Sequence, residues 1–183
     1  ADGNTGIGHN AGTSNTTGQQ NTFVGSQCAV PNTTGAYNTA VGSNAFGSNT
    51  TGQANTAVGY GALNNNTTAT SNTALGFQSL YYNTTGAANV ALGRDANVNL
   101  TTGSYNIAIG YQSAYQATTG NSNIVIGYQA GYAMTTQQAN IYIGYNCGSS
   151  QLGNGSIFIG ASNFSGYNGD DQVAFKVGIS GRE

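Results

Sequence analysis

An aliphatic residue followed by glycine recurs along this chain at a constant interval, and nothing else in the sequence restricts the fold as tightly. The pair stands at Ile7-Gly8, Val24-Gly25, Val41-Gly42, Val58-Gly59, Leu75-Gly76, Leu92-Gly93, Ile109-Gly110, Ile126-Gly127 and Ile143-Gly144. Successive glycines in this series are 17 residues apart, and a further copy, Ile159-Gly160, follows after 16. A fixed short period means stacked units, because one unit of this size buries too little to fold alone.

The unit itself reads as strand and turn. Asn stands four residues before the glycine, from Asn4 and Asn21 to Asn140, and a small residue three after it, from Ala11 and Cys28 to Cys147. Thr-Thr follows eight and nine after the glycine. No helical apolar period runs through the units. Asn106-Ile107-Ala108-Ile109-Gly110 alternates and is β-branched, as strands are, and Asn-Thr-Thr-Gly is turn chemistry. The expected fold is all-β: a parallel β-solenoid, a β-roll or β-helix of ~10 coils spanning residues 1–160, about 48 Å long at ~4.8 Å per coil. Residues 161–183 leave the period. Val173, Phe175, Val177 and Ile179 alternate there, which suggests a C-terminal cap or transition strand. Ala1 in place of an initiating Met suggests a processed or excised piece.

Alternation also sets an expectation for the interior. The aliphatic residue before each glycine should face inward, with the residue two positions earlier: Thr5, Thr22, Thr39, Thr56, Thr73, Val90, Ile107, Ile124, Ile141 and Ile157. The interior then becomes more apolar toward the C-terminus. The residue between them (Ala40, Ala57, Ala74, Ala91, Ala108, then Val125, Tyr142 and Phe158) should face outward and be covered by other chains.

Charge is scarce, with three Lys/Arg and five Asp/Glu in 183 residues. That leaves no electrostatic footprint for nucleic acid, and no stretch approaches the ~20 apolar residues of a membrane-spanning helix. His9 is the single histidine, and the carboxylates Asp2, Asp95, Asp170, Asp171 and Glu183 form no evident catalytic pair or triad. An enzyme, a cofactor and a metal site are therefore not expected. Cys28 and Cys147 share one column seven repeats apart, ~34 Å at the coil spacing, beyond disulfide reach.

Two columns stand out as candidates. Asn21, Asn38, Asn55, Asn72, Asn89, Asn106, Asn123 and Asn140 should stack as a structural amide ladder that satisfies backbone groups at the coil corner. Tyr60, Phe77, Tyr111, Tyr128 and Tyr145 follow the glycine and should point outward, either to stack on carbohydrate or to form a ring ladder or subunit interface. The threonine columns raise ice binding as another reading. The change from Thr to Val and Ile after the fifth copy weighs against it.

The unit at Asn55–Leu63, Asn-Thr-Ala-Val-Gly-Tyr-Gly-Ala-Leu, resembles repeats of phage tail-fibre proteins. It is also similar to the Asn-Ser-Val-Ala-Ile-Gly heads of trimeric autotransporter adhesins, whose repeats are shorter and place one more residue between Asn and Gly. The resemblance covers roughly residues 3–160. It implies a homotrimeric extracellular stalk or adhesive head, on a virion or cell surface, with cell-surface carbohydrate as a partner. A self-assembling filament that stacks head to tail is the alternative assembly.

Overall fold

The computed structural model describes residues 2–150, 153–161 and 169–176. Each 17-residue unit is one coil of a solenoid, and contributes one short strand to a single parallel sheet. The strands are β1 (Thr5–Ile7), β2 (Thr22–Val24), β3 (Thr39–Val41), β4 (Thr56–Val58), β5 (Thr73–Leu75), β6 (Val90–Leu92), β7 (Ile107–Ile109), β8 (Ile124–Ile126), β9 (Ile141–Ile143), β10 (Ile157–Gly160) and β11 (Val173–Lys176). They pair in sequence order. Register is kept coil by coil, as in Thr39↔Thr56 and Ala40↔Ala57. The steps Ile141↔Ile157 and Ile157↔Val173 absorb the 16-residue spacing. The strand in the tail is thus one more rung of the same sheet; Val177 and Ile179 lie outside the described residues.

Only three residues per coil are strand, yet hydrogen bonds link the coils around much of the perimeter. The amide of Ala29 donates to the Ala45 carbonyl at 3.0 Å, Phe46 to Ala62 at 2.9 Å and Leu63 to Ser79 at 3.0 Å. On another side Thr33 donates to Thr50 and Thr50 to Thr67, each at 2.9 Å. Closing so tight a perimeter requires left-handed backbone at alternate positions, as at Gly25, Gln27 and Ala29 (φ 139, 57 and 48°). The repeated glycine is the position that tolerates no side chain. Gly42 has φ +136°, and a Cβ there would lie 2.5 Å from the Gly59 carbonyl oxygen of the next coil.

The facing expected from alternation is reversed. Ala40, Ala57, Ala74, Ala91 and Ala108, with Phe23, Val125, Tyr142 and Phe158, are buried and line the interior. The Thr/Val/Ile residues on either side of them point out of the sheet, half-buried or exposed. Side-chain size explains the reversal. The interior of a 17-residue coil is narrow, and the position four after the glycine also fills it: Ala29, Phe46, Leu63, Leu80, Asn97 and Ala114, then Gly131 and Gly148. Large and small residues exchange between these two columns. Phe23 occupies the space beside Gly12, where a Cβ would come 2.6 Å from its ring, and Tyr142 does the same beside Gly148. Where Ala40, Ala57 and Ala74 stand in the strand, Phe46, Leu63 and Leu80 fill the opposite side.

The increase in apolarity toward the C-terminus is real but lies elsewhere. The change from Thr73 to Val90 and Ile107 occurs on the outer face. Inside, Asn32, Asn49, Asn66 and Asn83 form a buried column that continues as Leu100, Ala117 and Met134.

Both cysteines are buried in the small-residue column, their thiols donating to the carbonyls of Ala40 (3.3 Å) and Phe158 (3.1 Å). Burial pushes each thiol from an ordinary 9.0 up to about 11, against the opposing pull of backbone hydrogen bonds. The fold therefore holds the neutral thiols, while an unfolded chain ionises them from about pH 9. Their contribution is complete below pH 9 and is lost as pH rises through 11, on the order of 2 kcal/mol for each. Denaturation midpoints should stay level to about pH 8.5 and then fall. The double variant Cys28→Ala, Cys147→Ala should show a shallower alkaline fall, since Ala45, Ala62, Ala96 and Ala130 already occupy this column. An unchanged fall would assign it to other groups.

Candidate functional site

Four longitudinal features follow from the repeat, because any residue repeated every 17 positions becomes a stripe along the rod. The first is internal. The backbone amide of Asn72 donates to Oδ1 of Asn55 at 2.9 Å, that of Asn89 to Oδ1 of Asn72 at 2.9 Å, and that of Asn106 to Oδ1 of Asn89 at 2.9 Å. The same contacts link Asn21, Asn38, Asn55, Asn123 and Asn140 to their neighbours. From Asn21 to Asn123 each Nδ2 also reaches a carbonyl fourteen residues on within its own coil, as Asn38 to Gly52 and Asn72 to Gly86. One amide thus joins neighbouring coils and closes its own coil at the Thr-Thr-Gly corner, which is a structural task and leaves the column no access to a ligand.

A second internal amide chain runs beside it. Asn32 donates to Oδ1 of Asn15, Asn49 to Asn32, Asn66 to Asn49 and Asn83 to Asn66, at 2.7–3.2 Å. Asn32, Asn49, Asn66 and Asn83 begin Asn-Thr-Thr triplets, and their burial removes them as sugar-attachment points in the folded chain. The chain stops where Leu100 takes the next place, leaving Oδ1 of Asn83 without a partner.

The aromatic column is outside. Tyr60, Phe77, Tyr111, Tyr128 and Tyr145 are all exposed. Tyr60 and Phe77 stack with centroids 5.3 Å apart, Tyr111 and Tyr128 at 5.2 Å, and Tyr128 and Tyr145 at 5.2 Å, with interplanar angles of 9–16°. Arg94 occupies the intervening coil, its Cζ 5.2 Å from the Phe77 centroid, and pairs with Asp95 at 3.3 Å. The rings lie one coil spacing apart and nearly parallel, so neighbours cover one another's faces. Edges and hydroxyls are left to solvent. A further pair outside this column behaves alike, Tyr115 and Tyr132 being stacked at 5.1 Å and 1°.

The fourth stripe is the outer face of the sheet, which alternation and apolarity alone would place inside. It carries Thr22, Thr39, Thr56 and Thr73 beside Val24, Val41, Val58 and Leu75, and then Val90 beside Leu92 and Ile107, Ile124, Ile141 and Ile157 beside Ile109, Ile126, Ile143 and Ile159. Ile7, Leu75 and Leu92 are well exposed and the other aliphatics half-buried. No charged residue stands in these strand positions from β1 to β10.

No protein-family model, curated protein or solved structure matches the chain.

Proposed function

We infer that the chain is a structural and adhesive segment of an extracellular fibre, in which copies of the solenoid associate side by side along their sheet faces. The observation that carries this reading is the charge-free Thr/Val/Ile/Leu face, which runs from β1 to β10 with none of the described residues covering it. With the aromatic column beside it, the strip measures about 48 by 15–20 Å, or roughly 700–1,000 Å² per chain, the size stable interfaces need. A second copy is the fitting occupant. Its ladder has the same rise per rung, so parallel copies in register repeat the same contacts at every coil. The similarity to tail-fibre and adhesin-head repeats makes three chains the expected number.

Light scattering and negative-stain imaging of one sample test this. A mass of three chains in short rods is expected. A stable single-chain rod would overturn the reading, and long filaments would replace it with end-to-end polymerisation.

A second reading draws on the same face. Its Thr column points outward, and from β2 to β5 it stands beside Val and Leu in a regular grid of hydroxyls and methyls. Such a grid can order water, and ice binding by a single-chain rod would show as thermal hysteresis.

A further inference from the structure

A groove of about 490 Å³ runs along the rod away from the sheet, lined by Asn65, Tyr82, Asn99 and Gln116 on one side and Thr84, Thr101 and Thr118 on the other. Its origin is local. The position six after the repeated glycine is Ser14, Pro31 and Ser48 in the earlier coils and Ala133 in a later one. Only over four successive coils does it carry the larger Asn65, Tyr82, Asn99 and Gln116. The residue between the two walls turns inward (Asn83, Leu100, Ala117), so the walls stand on one outward face two residues apart.

The groups offered are uncharged. Each threonine hydroxyl spends its proton on the next coil, Thr84 to the Thr101 carbonyl at 3.1 Å, Thr101 to Thr118 at 3.0 Å and Thr118 to Thr135 at 3.1 Å. Their oxygens remain as acceptors in a row. Asn99 uses one Nδ2 proton on the Tyr115 carbonyl at 2.8 Å, which fixes the amide and leaves its carbonyl oxygen and second proton. Tyr82 differs from the stacked rings. It is 47% exposed, and its ring meets Tyr81 edge-on, centroids 4.8 Å apart at 78°. It is braced without a parallel ring laid over it.

We propose that this groove binds a neutral oligosaccharide lying along the rod axis, with one sugar ring on Tyr82 and its hydroxyls donating to the threonine row and exchanging hydrogen bonds with Asn99 and Gln116. The match is one of chemistry and length. A braced aromatic, amides and acceptor hydroxyls without any ionic group suit a neutral polyol and offer nothing to a charged one. From Asn65 to Gln116 is three coil steps, about 14 Å, and a pyranose in an extended chain advances by close to one coil spacing. About three sugars fit. The proposal rests on the adhesive reading above and gives it a ligand class and a site.

The test is calorimetric titration of the full chain with cellotriose, maltotriose, mannotriose and tri-N-acetylchitotriose, with sialyllactose as an anionic comparison. Saturable binding of at least one neutral trisaccharide is expected. Tyr82→Ala should weaken it about tenfold or more, as losing an aromatic anchor does. Tyr82→Phe should keep most of it, and Tyr128→Ala, in the stacked column, should leave it unchanged. No binding of any neutral trisaccharide, tighter binding of sialyllactose, or equal loss in Tyr82→Ala and Tyr128→Ala would each overturn the proposal. The mass measurement separates it from the parent reading: trimers that ignore sugars sink the groove alone, and sugar-binding single chains sink the fibre alone.

Discussion

Asn72→Leu is expected to destabilise the rod by about 3–5 kcal/mol, more than any single change on its outer face. The asparagine side chain accepts the Asn89 amide at 2.9 Å and donates to the Gly86 carbonyl at 2.9 Å, in a place with no exposed surface. Leucine has similar bulk but serves neither group, so a buried donor and a buried acceptor are orphaned together, at about 1–3 kcal/mol each. Asn72→Asp separates the two halves of this effect. It keeps the acceptor, loses the donor and buries a carboxylate. Thr73→Val, one residue along on the outer face, should change stability by no more than about 0.5 kcal/mol. Urea denaturation followed by far-UV circular dichroism measures all three. Equal midpoints for Asn72→Leu and Thr73→Val would mean that the amide ladder holds nothing together.

The ladder was legible because its cause is local and periodic. An Asn fixed at one place in every unit serves a bond that recurs in every unit. The parallel sheet was legible for the same reason, since equal spacing forces equal register. The facing of the strands was not, because a three-residue strand such as Thr56-Ala57-Val58 alternates equally well either way. Greater apolarity favours putting Thr56 and Val58 inside, but in so small a coil volume outweighs it, and with Leu63 filling the other side the strand has room inside only for alanine. A sequence signal existed. Phe23 falls where Gly12 is small, Tyr142 where Gly148 is, and Ala57 where Leu63 is large, and such exchange of size marks two columns sharing one interior. The groove was missed because one of its walls is a departure from the repeat, at Tyr82 and Gln116, and periodic reading averages departures away.

The same exchange of columns divides the rod near its middle. In the fifth and sixth coils the inner Asn chain ends at Asn83, the outer Thr column gives way to Val90, and Asn97 is buried with neither amide atom paired. Coils stabilise one another through nearest neighbours, so these unpaired groups lower the cohesion of one junction. Tyr142 adds an unpaired buried hydroxyl further along, beside the stacked ring of Phe158.

Two adjacent lysine substitutions separate the interior from the proposed assembly surface. Ala91 is wholly buried at the centre of β6, whereas Leu92 is 39% exposed on the outer face. Ala91→Lys forces an ammonium group and four methylenes into a space that holds one methyl. A loss above about 4 kcal/mol is expected, enough to unfold the neighbouring coils. Leu92→Lys keeps its charge in water in a single chain, so circular dichroism at room temperature should match the parent. In the proposed side-by-side assembly the same lysine would enter the shared face of every copy, unpaired and repelled by its symmetry mates. Association should weaken by about a hundredfold or more, leaving folded single chains in light scattering at micromolar concentration. If Ala91→Lys folds normally, Ala91 does not face the interior. If Leu92→Lys keeps the full assembled mass, the copies meet through some other face, and the aromatic column with Arg94 at its centre becomes the surface to mutate next.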